Sequence, residues 1–149
     1  MFDIESKNQD EITINTKTTS ITFNVAESAI NANLAVGRIA GPGEFEIAEA
    51  TIRGIPTESG KTIYDVEIGG VHVGIIGGIE EALDDLGMSD ILCTSSVRAV
   101  REIDPKLVIS MGNLDRMVAE LKISAHSEKK LKVKNADSLP AALEVVALG

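Results

Sequence analysis

Lys61-Thr62-Ile63-Tyr64-Asp65-Val66-Glu67-Ile68-Gly69-Gly70-Val71-His72-Val73-Gly74-Ile75-Ile76-Gly77-Gly78 decides the fold. Two apolar-rich runs, Thr62 to Ile68 and Val71 to Ile76, flank a pair of glycines able to take the positive φ of a tight hairpin turn. Working back toward the N-terminus, Gly41-Pro42-Gly43 is a strong breaker. It is followed by a half-buried strand around Phe45 and Ile47, a strand over Thr51 to Ile55 and a turn over Pro56 to Gly60. Earlier still, Glu11 to Thr16 and Ser20 to Val25 alternate with period two and read as a hairpin. The small residues and asparagines of Ala26 to Ala40 suggest a loop, or a short strand near Leu34-Ala35-Val36.

Beyond Ile76 the pattern changes. Glu80 to Leu86 reads as a short helix with acids leading its positive end. Asp90 to Cys93 is a buried-strand run, and Ser95 or Ser96 can cap a helix through Val97, Val100 and Ile103. Leu107 to Ile109 is a strand, and Asn113 can cap a helix from Leu114 to Leu121 with an apolar stripe. Leu131 to Val133 and Leu143 to Leu148 read as final strands. Many strands followed by alternating helix and strand predict packed sheets with helices outside, an α/β (α+β) chain. With no long linker or fixed-period repeat, residues 1–149 read as a single domain.

Composition narrows the function. Lys and Arg total 14 against 23 Asp and Glu, a net charge of −9, which argues against nucleic acid. Phe2, Phe23, Phe45 and Tyr64 are the only aromatic residues, so base-stacking platforms are not expected. Cys93, the single cysteine, reads as a buried structural thiol and is compatible with a reducing compartment. No signal peptide or membrane span is apparent, so a soluble cytoplasmic protein is expected.

The order of these segments resembles the metallo-β-lactamase superfamily, especially small bacterial Zn-dependent hydrolase-like proteins of the β-lactamase fold. The likeness runs through Gly41 to Cys93, continues over Asp104 to Ile109, and returns at Leu139-Pro140 and Glu144 to Leu148. Gly41-Pro42-Gly43-Glu44-Phe45-Glu46 followed by Thr62-Ile63-Tyr64 is its most specific part. The resemblance implies a trimmed αββα four-layer sandwich with a β-rich N-terminal half and a metal site at one edge.

Active relatives hold their metal with an early His-x-His-x-Asp-His loop, a His-Leu-Gly-Asp-like strand end and a late Met-His. Here no histidine precedes His72. The second segment falls on Ile75-Ile76-Gly77-Gly78 and the third on Met111-Gly112, so Ile75, Gly78 and Gly112 stand where ligands stood. A catalytic zinc needs about three converging N, O or S ligands and an open position. No cofactor is therefore expected, and the resemblance points to a degenerate, metal-free relative that acts by binding or assembly. Trimming the early loop is expected to uncover apolar sheet surface, hence a homo-oligomer, most simply a dimer. One alternative is a small-ligand sensor using the former metal pocket around Gly77, Gly78, Gly112 and Asn113. Another is a hydrolase with an unusual site, built on His72 and acids or holding zinc between subunits.

Other residues read blandly. His72 is expected to face solvent, and His126 to lie in a loop. Glu44, Glu46, Glu58 and Asp65 read as a solvated face in an acidic chain. Gly74 to Gly78 lacks the spacing of a phosphate loop, and its glycines read as allowing a sharp strand exit. Lys130, Lys132 and Lys134 alternate onto one face, as on a protected edge strand.

Overall fold

A computed structural model of the chain describes residues 1–32 and 38–149; the strand expected near Leu34-Ala35-Val36 lies outside the described residues. Among the described residues nine strands come first: β1 (Phe2–Asn8), β2 (Glu11–Asn15), β3 (Ser20–Asn24), β4 (Ala29–Ala32), β5 (Arg38–Ala40), β6 (Gly43–Ile47), β7 (Ala50–Pro56), β8 (Thr62–Ile68) and β9 (Val71–Gly77). Then follow α1 (Leu83–Leu86), β10 (Ile91–Thr94), α2 (Val97–Ile103), β11 (Leu107–Ser110), α3 (Leu114–Leu121), β12 (Ala125–Glu128), β13 (Leu131–Val133), a 3-10 turn (Ala136–Ser138) and β14 (Glu144–Leu148). Among the described residues no helix is long and apolar enough to cross a membrane.

The strands form two sheets. The first, ordered β13-β1-β2-β3-β4-β5, is antiparallel throughout. The second is ordered β12-β14-β11-β10-β9-β8-β7-β6. It is antiparallel from β6 to β9 and parallel from β9 to β12. The β8–β9 hairpin turns at Gly69 and Gly70, whose φ values of 58° and 78° suit the twist of such a turn.

Alternation along each strand builds two cores. Ile4, Ile12, Ile14, Ile21 and Phe23 of the first sheet pack against Ile52, Tyr64, Val66, Val73 and Ile75 of the second. On the far face of the second sheet, Ile63, Ile76, Leu92, Val108 and Val145 pack against Leu83 and Leu86 of α1, Val97 and Val100 of α2 and Met117 of α3. The central strands β9, β10 and β11 are thus buried on both faces, which explains their near-continuous apolar sequences.

Helices were expected over both sheets, but all three described α-helices lie on the second. The outward face of the first sheet is polar and satisfies itself. The Thr13 and Thr22 hydroxyls meet at 2.8 Å, Asn15 Nδ2 donates to Asp3 Oδ1 at 2.7 Å, and Asn24 Nδ2 donates to Glu11 at 3.3 Å. Such a face is stable against water and offers a helix nothing apolar to bury. The expected apolar exposure is likewise not found: among the described residues, the exposed large hydrophobic side chains are Met1 and Met88.

The helix expected over Glu80 to Leu86 is shorter than its sequence suggests. Ala82 takes a left-handed conformation (φ 58°), so Glu80 and Glu81 precede the helix and Asp84 and Asp85 occupy its first turn. His126 belongs to edge strand β12 rather than a loop, and β13 with Lys132 is an edge strand as expected.

Candidate functional site

Three neighbouring parallel strands end side by side: β9 at Gly77, β10 at Thr94 and β11 at Ser110. Crevices at the carboxyl ends of parallel strands are where open α/β sheets take ligands. Their exit loops are cross-tied here. Buried Thr94 donates through Oγ1 to the Gly77 carbonyl at 2.6 Å and accepts from the Ser96 N–H at 3.0 Å. Ser95 N–H donates to the Gly77 carbonyl, Met111 N–H to the Thr94 carbonyl and Asn113 Nδ2 to the Ser95 carbonyl. The floor is fixed before any ligand arrives.

Loops of the first sheet close the other side. Gly77 has φ 57°, and a Cβ there would meet Val25 Cγ2 at 2.8 Å. A Cβ at Gly112, where φ is 95°, would meet the Gln9 side chain at 3.2 Å. Between them lies a cleft of about 260 Å³, lined by Gln9, Asp10 and Val25 on one side and Gly77, Gly78, Ser95, Met111, Gly112 and Asn113 on the other. A second cavity of about 450 Å³ adjoins it, sharing Gly78, Ser95 and Asn113 and extending over the polar faces of α2 and α3.

Four of the five candidate positions thus meet at this edge: Gly77, Gly78, Gly112 and Asn113 line the cleft. Ile75 does not. It is fully buried between the sheets opposite Tyr64, because the parity of β9 turns it inward. Asn113 precedes α3 as expected but makes no side-chain cap; its amide is spent on Ser95. Ser96 does cap α2, accepting from the Ala99 N–H at 3.0 Å.

The cleft does not fit a catalytic zinc. Its one charged donor is Asp10, and neither histidine nor cysteine lines it. Among the described residues no group of three or more His, Cys, Asp or Glu side chains is placed to hold a metal ion.

His72 lies elsewhere, on the helix-bearing face of the second sheet, and is half-buried rather than free. Its Nδ1 is 3.2 Å from Asp65 Oδ1, its Nε2 is 3.7 Å from Glu67, and its backbone N–H donates to Asp90. Asp65, expected in solvent, is buried and paired with Arg53 at 3.3 Å, while Arg53 also donates to the Leu86 carbonyl. Both imidazole nitrogens face carboxylates, which describes a structural network. Glu44, Glu46 and Glu58 are exposed as expected. Cys93 is fully buried, and burial pushes its thiol far up, so it is inert.

No protein-family model matches the chain, and no curated protein matches it. Among solved structures, a Thermotoga maritima protein described as a candidate Zn-dependent hydrolase of the metallo-β-lactamase superfamily is similar over 100% of both chains, with a TM-score of 0.71 at 15% identity. The chain therefore has a metallo-β-lactamase-like fold. At that identity the likeness concerns architecture, and function has to be argued from the cleft.

Proposed function

We propose that this chain is a non-catalytic, metal-free protein of metallo-β-lactamase-like fold that binds a small molecule at the carboxyl ends of β9, β10 and β11. One observation carries the reading. Two of the three positions where the resemblance expects metal ligands, Gly78 and Gly112, border an open cleft with a hydrogen-bonded floor beside Gly77 and Asn113. A concave, pre-formed site with a few convergent polar groups is what small ligands need. The Ser95 hydroxyl and the Asn113 side-chain oxygen supply those groups, and Val25 and Met111 supply apolar wall. Binding is favoured over assembly because the uncovered sheet face is polar. A cytoplasmic setting is part of the reading and rests on the lone buried thiol.

The test is a thermal-shift screen of nucleotides, phosphates and carboxylic acids on the wild type and on Ser95→Leu, which fills the cleft from its shared wall. The reading expects at least one compound to raise the wild-type melting temperature and to lose that effect in the variant. Stabilisation that survives in Ser95→Leu, or none by any compound, would count against it.

A further inference from the structure

The chain has five arginines, Arg38, Arg53, Arg98, Arg101 and Arg116, and three of them line the larger cavity. In a protein of net charge −9 that concentration is notable. Arg98 and Arg101 project from α2, and Arg116 from the facing α3. Arg98 Nε lies 3.0 Å from Glu102 and Arg116 Nε 2.9 Å from Glu120, both exposed i,i+4 pairs of the kind that exchange readily with solvent. Arg101 donates to the Glu120 backbone carbonyl at 3.2 Å and has no carboxylate partner among the described residues.

The cavity also contains carboxylates of its own: Glu102 and Glu120, already paired with Arg98 and Arg116, and Glu80. Glu80 accepts from the Ser96 hydroxyl at the β10–α2 junction. Arg98 and Arg116 are held above the ordinary guanidinium value, first by their hydrogen bonds to Glu102 and Glu120 and in smaller part by the charge of Glu80. Glu80, Arg98 and Arg116 line the same cavity, so one carboxylate faces guanidiniums from both helices across a common space. α3 also points its N-terminus this way without a side-chain cap, and a helix N-terminus favours negative charge.

We propose that Arg98, Arg101 and Arg116 form an oxyanion subsite that takes the terminal phosphate or carboxylate of a small organic ligand, whose uncharged body crosses Gly78 into the adjoining cleft. This assignment rests on the ligand-binding reading above and adds the ligand's chemical class. Guanidinium forks match phosphate and carboxylate geometry bidentately. The neighbouring cleft carries Ser95, Asn113, Val25 and Met111, which suit a short neutral body. Glu80 is then the internal competitor that an incoming anion displaces electrostatically.

The experiment is titration calorimetry at low ionic strength with three probes: inorganic phosphate, glycerol 3-phosphate and succinate. The proteins are the wild type, Arg101→Gln, Arg116→Gln, Glu80→Gln and Ser95→Leu. The arginines are exposed, so their variants are expected to melt with the wild type. Loss of one charge-assisted fork is expected to weaken binding about tenfold or more. Removing the competing charge in Glu80→Gln is expected to tighten it by about threefold. Binding of the phosphates alone, or of succinate alone, supports the subsite and tells the two headgroups apart. The subsite is overturned if no probe binds the wild type below about 10 mM, or if the arginine variants bind as well as the wild type. A neutral compound that stabilises the wild type but not Ser95→Leu would leave the cleft reading standing while this assignment falls.

Discussion

Tyr64 is fully buried between the sheets, its ring 5.4 Å from that of Phe23 at 59°, and among the described residues its hydroxyl has no hydrogen-bond partner. Burial pushes the phenol up to about 12. A raised value means stability that is complete below the ordinary tyrosine value of about 10 and is lost as pH climbs toward 12. Tyr64→Phe removes an unsatisfied buried hydroxyl, so it is expected to stabilise the fold by about 1 kcal/mol. It should also lessen the fall in melting temperature above pH 10, leaving the share due to the buried Cys93 thiol, whose loss sets in from its lower ordinary value. Melting curves from pH 8 to 12 check this; a destabilised variant with an unchanged alkaline limb contradicts it. At this scale the sequence was legible in direction and silent on cover. The reading of Asp65 as part of a solvated face kept it out of the inter-sheet core, where it indeed does not lie, but missed its burial. It could not tell that Arg53 and His72 would close over that carboxylate, because those contacts come from β7 and β9 and not from its own strand.

The elements that were legible are those whose sequence pattern is backed by a cap or a turn. Ser95 or Ser96 before Val97, Val100 and Ile103 announces α2, and it is the Ser96 hydroxyl that accepts from Ala99. Ser96→Ala is expected to cost about 1 kcal/mol through the lost cap. It also releases Glu80, so anion binding should weaken further than the helix alone explains. Chemical denaturation followed by circular dichroism measures the first effect, and an unchanged midpoint would contradict it. The elements missed lack such signals. β1 carries only Phe2 and Ile4 as apolar side chains, too few to establish a period. β12 reads Ala125-His126-Ser127-Glu128 and owes its strand form to parallel pairing with β14, a long-range partner that no local pattern reveals. α1 begins at Leu83 because Glu80 and Glu81 are drawn aside, Glu80 by Ser96 and Glu81 by the Ser59 N–H at 2.9 Å.

For the whole molecule, the resemblance read from the sequence and the similarity to the Thermotoga maritima structure agree on architecture. The layer count differs in the residues described. The first sheet presents Asp3, Thr13, Asn15 and Thr22 outward in a hydrogen-bonded ladder, and helices cover only the second. That polarity is written in the sequence, since every second residue of β2 and β3 is Thr, Asn, Ser or Glu, but the family pattern masked it. The candidate cleft was legible for the same reason the zinc was doubted: glycines and an asparagine stand at the ends of β9 and β11, on either side of β10. The arginine cavity was not, because α2 and α3 come together only in the fold. The central claim is that this edge binds small molecules and has lost the donors for a divalent cation. Its most direct test is elemental analysis of the purified protein after incubation with zinc, manganese or iron and exhaustive dialysis. The account predicts far less than one equivalent of any metal; a retained stoichiometric ion would contradict it and restore hydrolysis as the better reading.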